Sequence, residues 1–346
     1  LVDKINNDKV FKDPYFVGLY EVLEKNEKKF AFLPRLFGIQ KNPFKLIKLL
    51  RTLKDENEYL FEYELLNFRD IFKIFLFILR FPIKQFELIQ KENSEIDRIF
   101  NSELFICLPN TSFEAYIRYL VGKKIAKKFT NQIFVISWQE FQNLEKSFYK
   151  GIKESADNDR IVIYGCEFFI KYENYLSMHI TDVDVDLNIT PHKTLLNGRH
   201  NYSNSKKQNF DEGVSLRYKN IFTKIDFFVD NNDYLALLGF NINESQNLLN
   251  TLIPIKKLLI KLHPTTKKNQ FDLHQKSEWK FSYEDIYYLL REKSLVFTTP
   301  MSGTPLEAVA SGVSVLIVHE QESFPVIPLV DFGRSKIWDI VCNEDE

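Results

Sequence analysis

Two short segments in the second half of the chain carry residue types suited to holding an anion. The first is Lys261-Leu262-His263-Pro264-Thr265-Thr266, where the apolar run Leu258 to Leu262 delivers an imidazole straight into a loop. The carboxyl end of such a strand is where an α/β sheet binds its ligand. Pro264 fixes the turn, and with it the angle at which His263 projects. A His there can donate a hydrogen bond to a phosphate, and its protonated form adds charge beside a leaving nucleotide. The plainer reading is a His that caps a loop. The second segment is Thr298-Thr299-Pro300-Met301-Ser302-Gly303-Thr304-Pro305-Leu306-Glu307, an apolar run entering a Ser-Gly-Thr turn and a helix opened by Pro. A helix start has N–H groups without partners and positive dipole character. Gly303 lets backbone approach a ligand, the Ser302 and Thr304 hydroxyls add donors, and Glu307 in the first turn suits ribose hydroxyls. The plainer reading is an ordinary capped helix.

Carboxylates are the other chemistry-bearing groups. Asp182-Val183-Asp184-Val185-Asp186 holds two D-x-D triplets of the kind that can chelate Mg²⁺ or Mn²⁺. Strict alternation with Val places all three Asp on one face of an expected strand, Val183 to Ile189, and a solvated strand face explains that without metal. Asp184 and Asp186 remain candidates for a base or nucleophile. The six histidines show no H-x-x-x-H pair on a clear helix, so no metal-ligand set is expected.

Alternating elements must carry these groups. In the first half, Lys29 to Leu36, Glu103 to Leu108, Gln132 to Ser137 and Arg160 to Phe169 read as strands. Glu56 to Leu79, Ser112 to Lys128 and Gln139 to Ser155 read as helices. The irregular stretch Thr190 to Asn209 reads as a linker, dividing the chain into 1–190 and 191–346. The second half repeats the alternation. Strands are expected at Tyr234 to Phe240, Leu258 to Leu262, Ser294 to Thr298 and Val313 to Val318. Helices are expected at Asn243 to Leu252, capped by Asn241 or Asn243, at Tyr283 to Arg291, and at Thr304 to Ala310. Such β/α steps make an α/β protein of two doubly wound domains.

Composition narrows the function. With 346 residues, 46 Lys+Arg against 47 Asp+Glu and 45% hydrophobic residues, the chain is globular and has no net field for nucleic acid. Cys107, Cys166 and Cys342 form no C-x-x-C pair, which fits a reducing, cytoplasmic setting. No signal peptide is apparent, nor a G-x-G-x-x-G or Walker A motif. Ile71 to Ile83 is strongly apolar but too short to span a bilayer and is interrupted by Lys73 and Arg80. The plainer expectation is a buried helix ending before Pro82. The alternative, with Lys84 behind it, is peripheral contact with the inner face of an anionic membrane.

Taken in order, K-x-H-P and then S-G-T-P-L-E-A-V-A-S-G-V-S-V-L-I-V resemble the C-terminal domain of bacterial GT-B glycosyltransferases that build capsule and lipopolysaccharide. The likeness is to the sialyltransferase and Kdo-transferase type and covers Tyr234 to Val318. It implies two Rossmann-like domains facing a central cleft, with the acceptor bound by 1–190 and the donor by 191–346. It also implies a CMP-linked ulosonic acid as donor and a surface glycan or glycolipid as acceptor, with no cofactor and no metal. His263, Ser302 and Thr304 would hold the donor's phosphate or carboxylate, with Lys261, Pro264 and Gly303 beside them and Glu307 on the ribose. One departure is that Gly303 separates two hydroxyl residues that are often adjacent in that family. Trp138 to Lys146 is similar to an E-N-Q-x-x-E segment of related transferases, which makes Glu140 a candidate general base. Gly213 to Tyr218 resembles a junction motif in which Arg217 takes a sugar carboxylate or phosphate. The rival readings are a UDP- or GDP-sugar donor, a CDP-polyol donor, a non-catalytic glycan-assembly subunit and an epimerase of similar build.

Overall fold

The computed structural model describes residues 15–34, 43–54, 59–106, 109–156, 160–168, 178–198, 205–213, 215–222, 234–273, 278–290, 295–300, 302–319, 326–329 and 333–342. The chain forms two α/β units. The described residues up to 213 belong to the first and those from 215 to the second. The expected class, α/β with two Rossmann-like domains, is what the structure shows. The division falls later than position 190, because the first sheet is completed by one strand inside the stretch expected to be linker, 193–196, and another just beyond it, 210–212.

The first unit opens with α1 (Leu19–Lys25), α2 (Pro43–Lys54), α3 (Glu62–Leu65), α4 (Phe68–Leu88), α5 (Glu95–Ile106) and α6 (Pro109–Lys128). Then come β1 (Ile133–Trp138), α7 (Asn143–Lys153), β2 (Ile161–Cys166), α8 (Asp182–Asp186), β3 (Lys193–Leu196) and β4 (Phe210–Glu212). All four strands run parallel in the order β1-β2-β3-β4. Val121 and Ile125 of α6, Tyr149 and Ile152 of α7, and Ile161 and Ile163 of β2 share one buried core. Helices α6 and α7 meet through glycines. A Cβ on Gly122 would lie 2.5 Å from the Phe148 carbonyl oxygen, and one on Gly151 2.1 Å from that of Tyr119.

Several expected elements differ, each for a local reason. The alternating Asp182 to Asp186 segment is helix α8 and not a strand. Thr181 and Asp184 close a capping box, with Thr181 N–H donating to Asp184 Oδ2 at 2.9 Å and Asp184 N–H to Thr181 Oγ1 at 3.2 Å. Acidic residues in a first turn also suit the helix dipole. Glu103 to Ile106 ends helix α5, whose start is set by Ser94 accepting from Asp97 N–H at 3.1 Å; Cys107 and Leu108 lie outside the described residues. The helix expected over Glu56 to Leu79 breaks at Leu66-Asn67, where Asn67 caps α4 by accepting from Asp70 N–H at 3.1 Å. Helix α4 then continues through Pro82 to Leu88. Ile78 and Pro82 lie on its solvent side, so water can satisfy the carbonyl that the proline leaves without a donor. Of the strand expected at Lys29 to Leu36, the described residues keep one bridge, Phe32 to Tyr59.

The second unit begins with a 3₁₀ segment, Leu216–Phe222. It continues with β5 (Tyr234–Leu237), α9 (Ile242–Thr251), β6 (Leu258–Lys261), β7 (Trp279–Ser282), α10 (Ile286–Leu290), β8 (Leu295–Thr298), α11 (Thr304–Ala310), β9 (Ser314–His319) and β10 (Trp338–Cys342). The six strands are parallel in the order β10-β9-β8-β5-β6-β7. Leu235 and Leu237 pack into one cluster with Leu290, Val296 and Ile317, while Ala236 packs into another with Leu248, Ile260 and Phe297. Successive residues of a strand point to opposite faces, so both faces of this sheet are covered, and the strands read as unbroken apolar runs. The sequence reading missed β7 and β10, the two edge strands.

Gly151→Ala is expected to cost about 2 kcal/mol of unfolding free energy, because the added methyl presses on backbone and not on a movable side chain. Urea denaturation measures this. An unchanged midpoint would show that α6 and α7 have room to separate.

Candidate functional site

The second sheet carries His263 and the Ser302–Thr304 turn at the carboxyl ends of its strands. The chain leaves β5 toward β6 and β7, then returns to the other side of β5 as β8. The carboxyl ends of β5 and β8 therefore form the switch point, where loops diverge and a doubly wound sheet binds ligand. Leu237 pairs with Lys261 on one side and Thr298 on the other. Two residues further along each strand stand Gly239, His263 and Pro300. Strands β6 and β8 are two places apart in the sheet, so their loops leave it about 10 Å apart, with the β5 loop between them.

His263 is half-buried in a tight turn, its carbonyl accepting from Thr266 N–H at 3.0 Å. Its Nδ1 accepts from Thr265 N–H at 3.3 Å and lies 2.7 Å from Thr265 Oγ1. An Nδ1 that accepts a backbone N–H carries no proton, so the ring proton sits on Nε2. Burial holds the imidazole pKa below its usual value. The residue is thus a neutral Nε2–H donor, where the sequence reading had also allowed a charged one. Phe240, 55% exposed, meets the His263 ring edge-on at 6.3 Å.

Across the switch point, Ser302 Oγ accepts from Thr304 N–H at 3.2 Å and lies 2.7 Å from Thr304 Oγ1, which in turn is 3.1 Å from Thr298 Oγ1. Ser302 therefore occupies one amide of the helix start, and Pro305 has none to offer. The turn presents a chain of hydroxyls more than a row of bare amides. Thr299, which sequence reasoning missed, adds to it. It is 1% exposed, and its hydroxyl has no hydrogen-bond partner among the described residues. A Cβ on Gly239 would lie 2.5 Å from that hydroxyl, so glycine at 239 is what lets the β5 loop pass over it. A Thr next to a Gly two residues past a neighbouring strand was the available signal.

Four expected donor-binding residues stand apart from this row. Lys261 donates its ammonium to the Glu284 carbonyl, and burial holds its pKa low. Glu307 is 6% exposed; burial raises its pKa, opposed by Arg217 and by a hydrogen bond from Tyr287. The Arg217 charge thus acts on buried Glu307 within the second unit, while Arg217 itself is half-buried, so the open ribose contact expected of Glu307 is not what this geometry offers. Pro264 is exposed and shapes the turn.

In the first unit, Glu140 follows β1 at the carboxyl edge of the sheet, where its carboxylate accepts from the Gln142 side chain. Glu145 Oε2 accepts from Glu140 N–H at 3.1 Å and Gln142 N–H at 2.9 Å, and so fixes the loop that presents Glu140. Between them Phe141 is buried at φ 59°, a strained value for an aromatic residue. Burial, with the nearby Glu140 charge, pushes the Glu145 carboxyl up to about 7 against the hydrogen bonds it accepts. Beside this loop, the Gln139 amide (1% exposed) and the Thr190 hydroxyl (0%) are buried without a hydrogen-bond partner among the described residues. Asp184 is taken up by its capping box and by Lys146 at 3.7 Å, Asp182 by the Ser205 hydroxyl at 2.6 Å, and Asp186 by Lys207 at 2.6 Å. Asp184 therefore holds structure and is not presented as an open catalytic carboxylate. Among the described residues no three His, Cys, Asp or Glu side chains gather as metal ligands do.

No protein-family model matches the chain, and no curated protein matches it. Among solved structures, it is similar to the crystal structure of Acinetobacter baumannii MurG, with 11% sequence identity and a TM-score of 0.49 over 93% of this chain and 80% of that one. Likeness at that level assigns neither activity nor ligand.

The raised carboxyl of Glu145 carries a pH signature. The folded protein holds this proton more tightly than the unfolded chain does, so stability falls as pH rises from about 4.5 to about 7 and is level above that. Glu145→Gln should remove this contribution and leave the variant about 1–3 kcal/mol more stable than wild type above pH 7. Paired urea titrations across that range read the difference. A gap that stays constant with pH would mean Glu145 titrates normally.

Proposed function

We propose that the chain is a GT-B-type glycosyltransferase whose second unit holds a nucleotide-activated sugar. The supporting observation is the row of polar groups at the β5–β8 switch point. The His263 Nε2–H donor lies on one side of the β5 loop, and the linked hydroxyls of Thr298, Ser302 and Thr304, with the unpartnered Thr299 hydroxyl, lie on the other. A phosphate seated there takes hydrogen bonds from both sides, and the exposed Phe240 ring offers a face for the base. In transfer, an acceptor hydroxyl attacks the anomeric carbon and the bond from that carbon to the phosphate oxygen breaks. The charge that builds on the departing phosphate is met by donors already in place. The hydroxyl proton passes to a carboxylate, a part we assign to Glu140 in the first unit, which would bind the glycan or glycolipid acceptor. For the donor itself we propose a CMP-linked ulosonic acid, a choice that rests on the order of the His-Pro and Ser-Gly-Thr-Pro segments.

Thermal shift separates the donors. CMP is expected to raise the melting temperature, and His263→Ala to weaken that binding about tenfold or more. Stabilisation by UDP alone would replace the CMP assignment with a UDP-sugar. Stabilisation by no nucleotide would remove the transferase reading. Glu140→Gln should leave CMP affinity intact and slow transfer or donor hydrolysis by about a hundredfold or more. Unchanged turnover would take the base away from Glu140.

A further inference from the structure

Helix α4 spans 21 residues and is built with an apolar face turned away from the protein. Its inward side carries buried Asp70 and Ile74, with Phe77 stacked on Tyr116 of α6 at 4.5 Å and Asp70 paired to Lys124 of α6 at 2.6 Å. The opposite side presents Phe68, Phe72, Phe75, Leu79, Ile83 and Phe86, between 54% and 91% exposed. Their spacing of three and four residues puts all six on one stripe running the length of the helix. Helix α5 prolongs it, since Phe105, 60% exposed, meets Phe86 at 6.3 Å. An apolar surface of this extent is uncommon on a free soluble domain.

Charge identifies the occupant. Arg69, Lys73, Arg80 and Lys84, spaced by four and seven residues, form a second stripe along one flank of the first. Lys73 reaches Asp70 at 3.9 Å and Lys84 pairs with Glu87, while Arg69 and Arg80 have no ion-pair partner among the described residues. Apolar rings on the outer face and cations at its flank suit a helix lying in the plane of a bilayer, rings among the acyl chains and cations at anionic headgroups. Among the described residues no helix is long and apolar enough to cross a membrane. We infer that α4 is a monotopic docking helix that seats the first unit on an anionic lipid surface. This does not depend on which donor the second unit binds.

Vesicle flotation of the full chain tests it. The protein should float with phosphatidylcholine vesicles that contain phosphatidylglycerol, less with phosphatidylcholine alone, and less as salt rises. Phe72→Ser with Phe75→Ser should weaken binding to both vesicles by about tenfold or more. Arg69→Glu with Arg80→Glu should weaken it to a similar degree on the anionic vesicles only. Both variants alter exposed positions and should keep the wild-type melting temperature, which confirms that they fold. No flotation, or flotation indifferent to the Phe substitutions, would overturn the inference. So would a dimer in sedimentation velocity that the Phe substitutions dissociate, since the face would then belong to a second copy.

Discussion

The second unit depends on one constraint, the reversal of winding beside β5. Parallel strands need crossover connections, and those connections are right-handed. A chain that adds β6 and β7 on one side of β5 and then β8 and β9 on the other must send its helices to opposite faces of the sheet. The loops above β5 and β8 therefore part and cannot fill the space between them. Gly239, His263 and the Thr298–Thr304 turn owe their common location to that topology. Their spacing in sequence does not show it, since 24 positions separate Gly239 from His263 and 35 separate His263 from Thr298.

The core of the second unit was legible because its inner strands are buried on both faces. Leu235, Ala236 and Leu237 in succession leave little else to be, and the same holds for Val315 through Val318. The edge strands were harder. Trp279-Lys280-Phe281-Ser282 alternates apolar and polar residues over only four positions, too short a stretch to distinguish from a loop. In the first unit, period alone misled. Asp and Val alternate through 182–186 with a strand's period, yet Thr181 and Asp184 form a local capping pair that decides for helix. Pro82 was read as a stop, which assumed the helix was buried. On an exposed face the cost of a proline falls because water reaches the orphaned carbonyl.

The site was legible in part for a similar reason. The His-Pro corner and the Ser-Gly-Thr turn announce themselves as punctuation after apolar runs. The buried role of Glu307 and the half-buried ones of Arg217 and Glu145 do not, because burial of a charged side chain is decided by what packs over it. Glu145 shows this well. Its three-residue offset from Gln142 marks a capping box, but nothing in that offset says that Phe141 will be folded inward and the carboxyl largely desolvated. Thr299 likewise becomes meaningful only once the Gly239 backbone is found across it.

The central claim is that two sets of donors, separated by one strand, serve one anion. A crystal structure of the chain with cytidine monophosphate would test that directly. The account predicts the phosphate above the ends of β5 and β8, with its oxygens at about 2.7–3.1 Å from His263 Nε2 and from the hydroxyls of the 299–304 turn. A nucleotide bound elsewhere on the sheet, or a phosphate held by only one of the two sets, would contradict it.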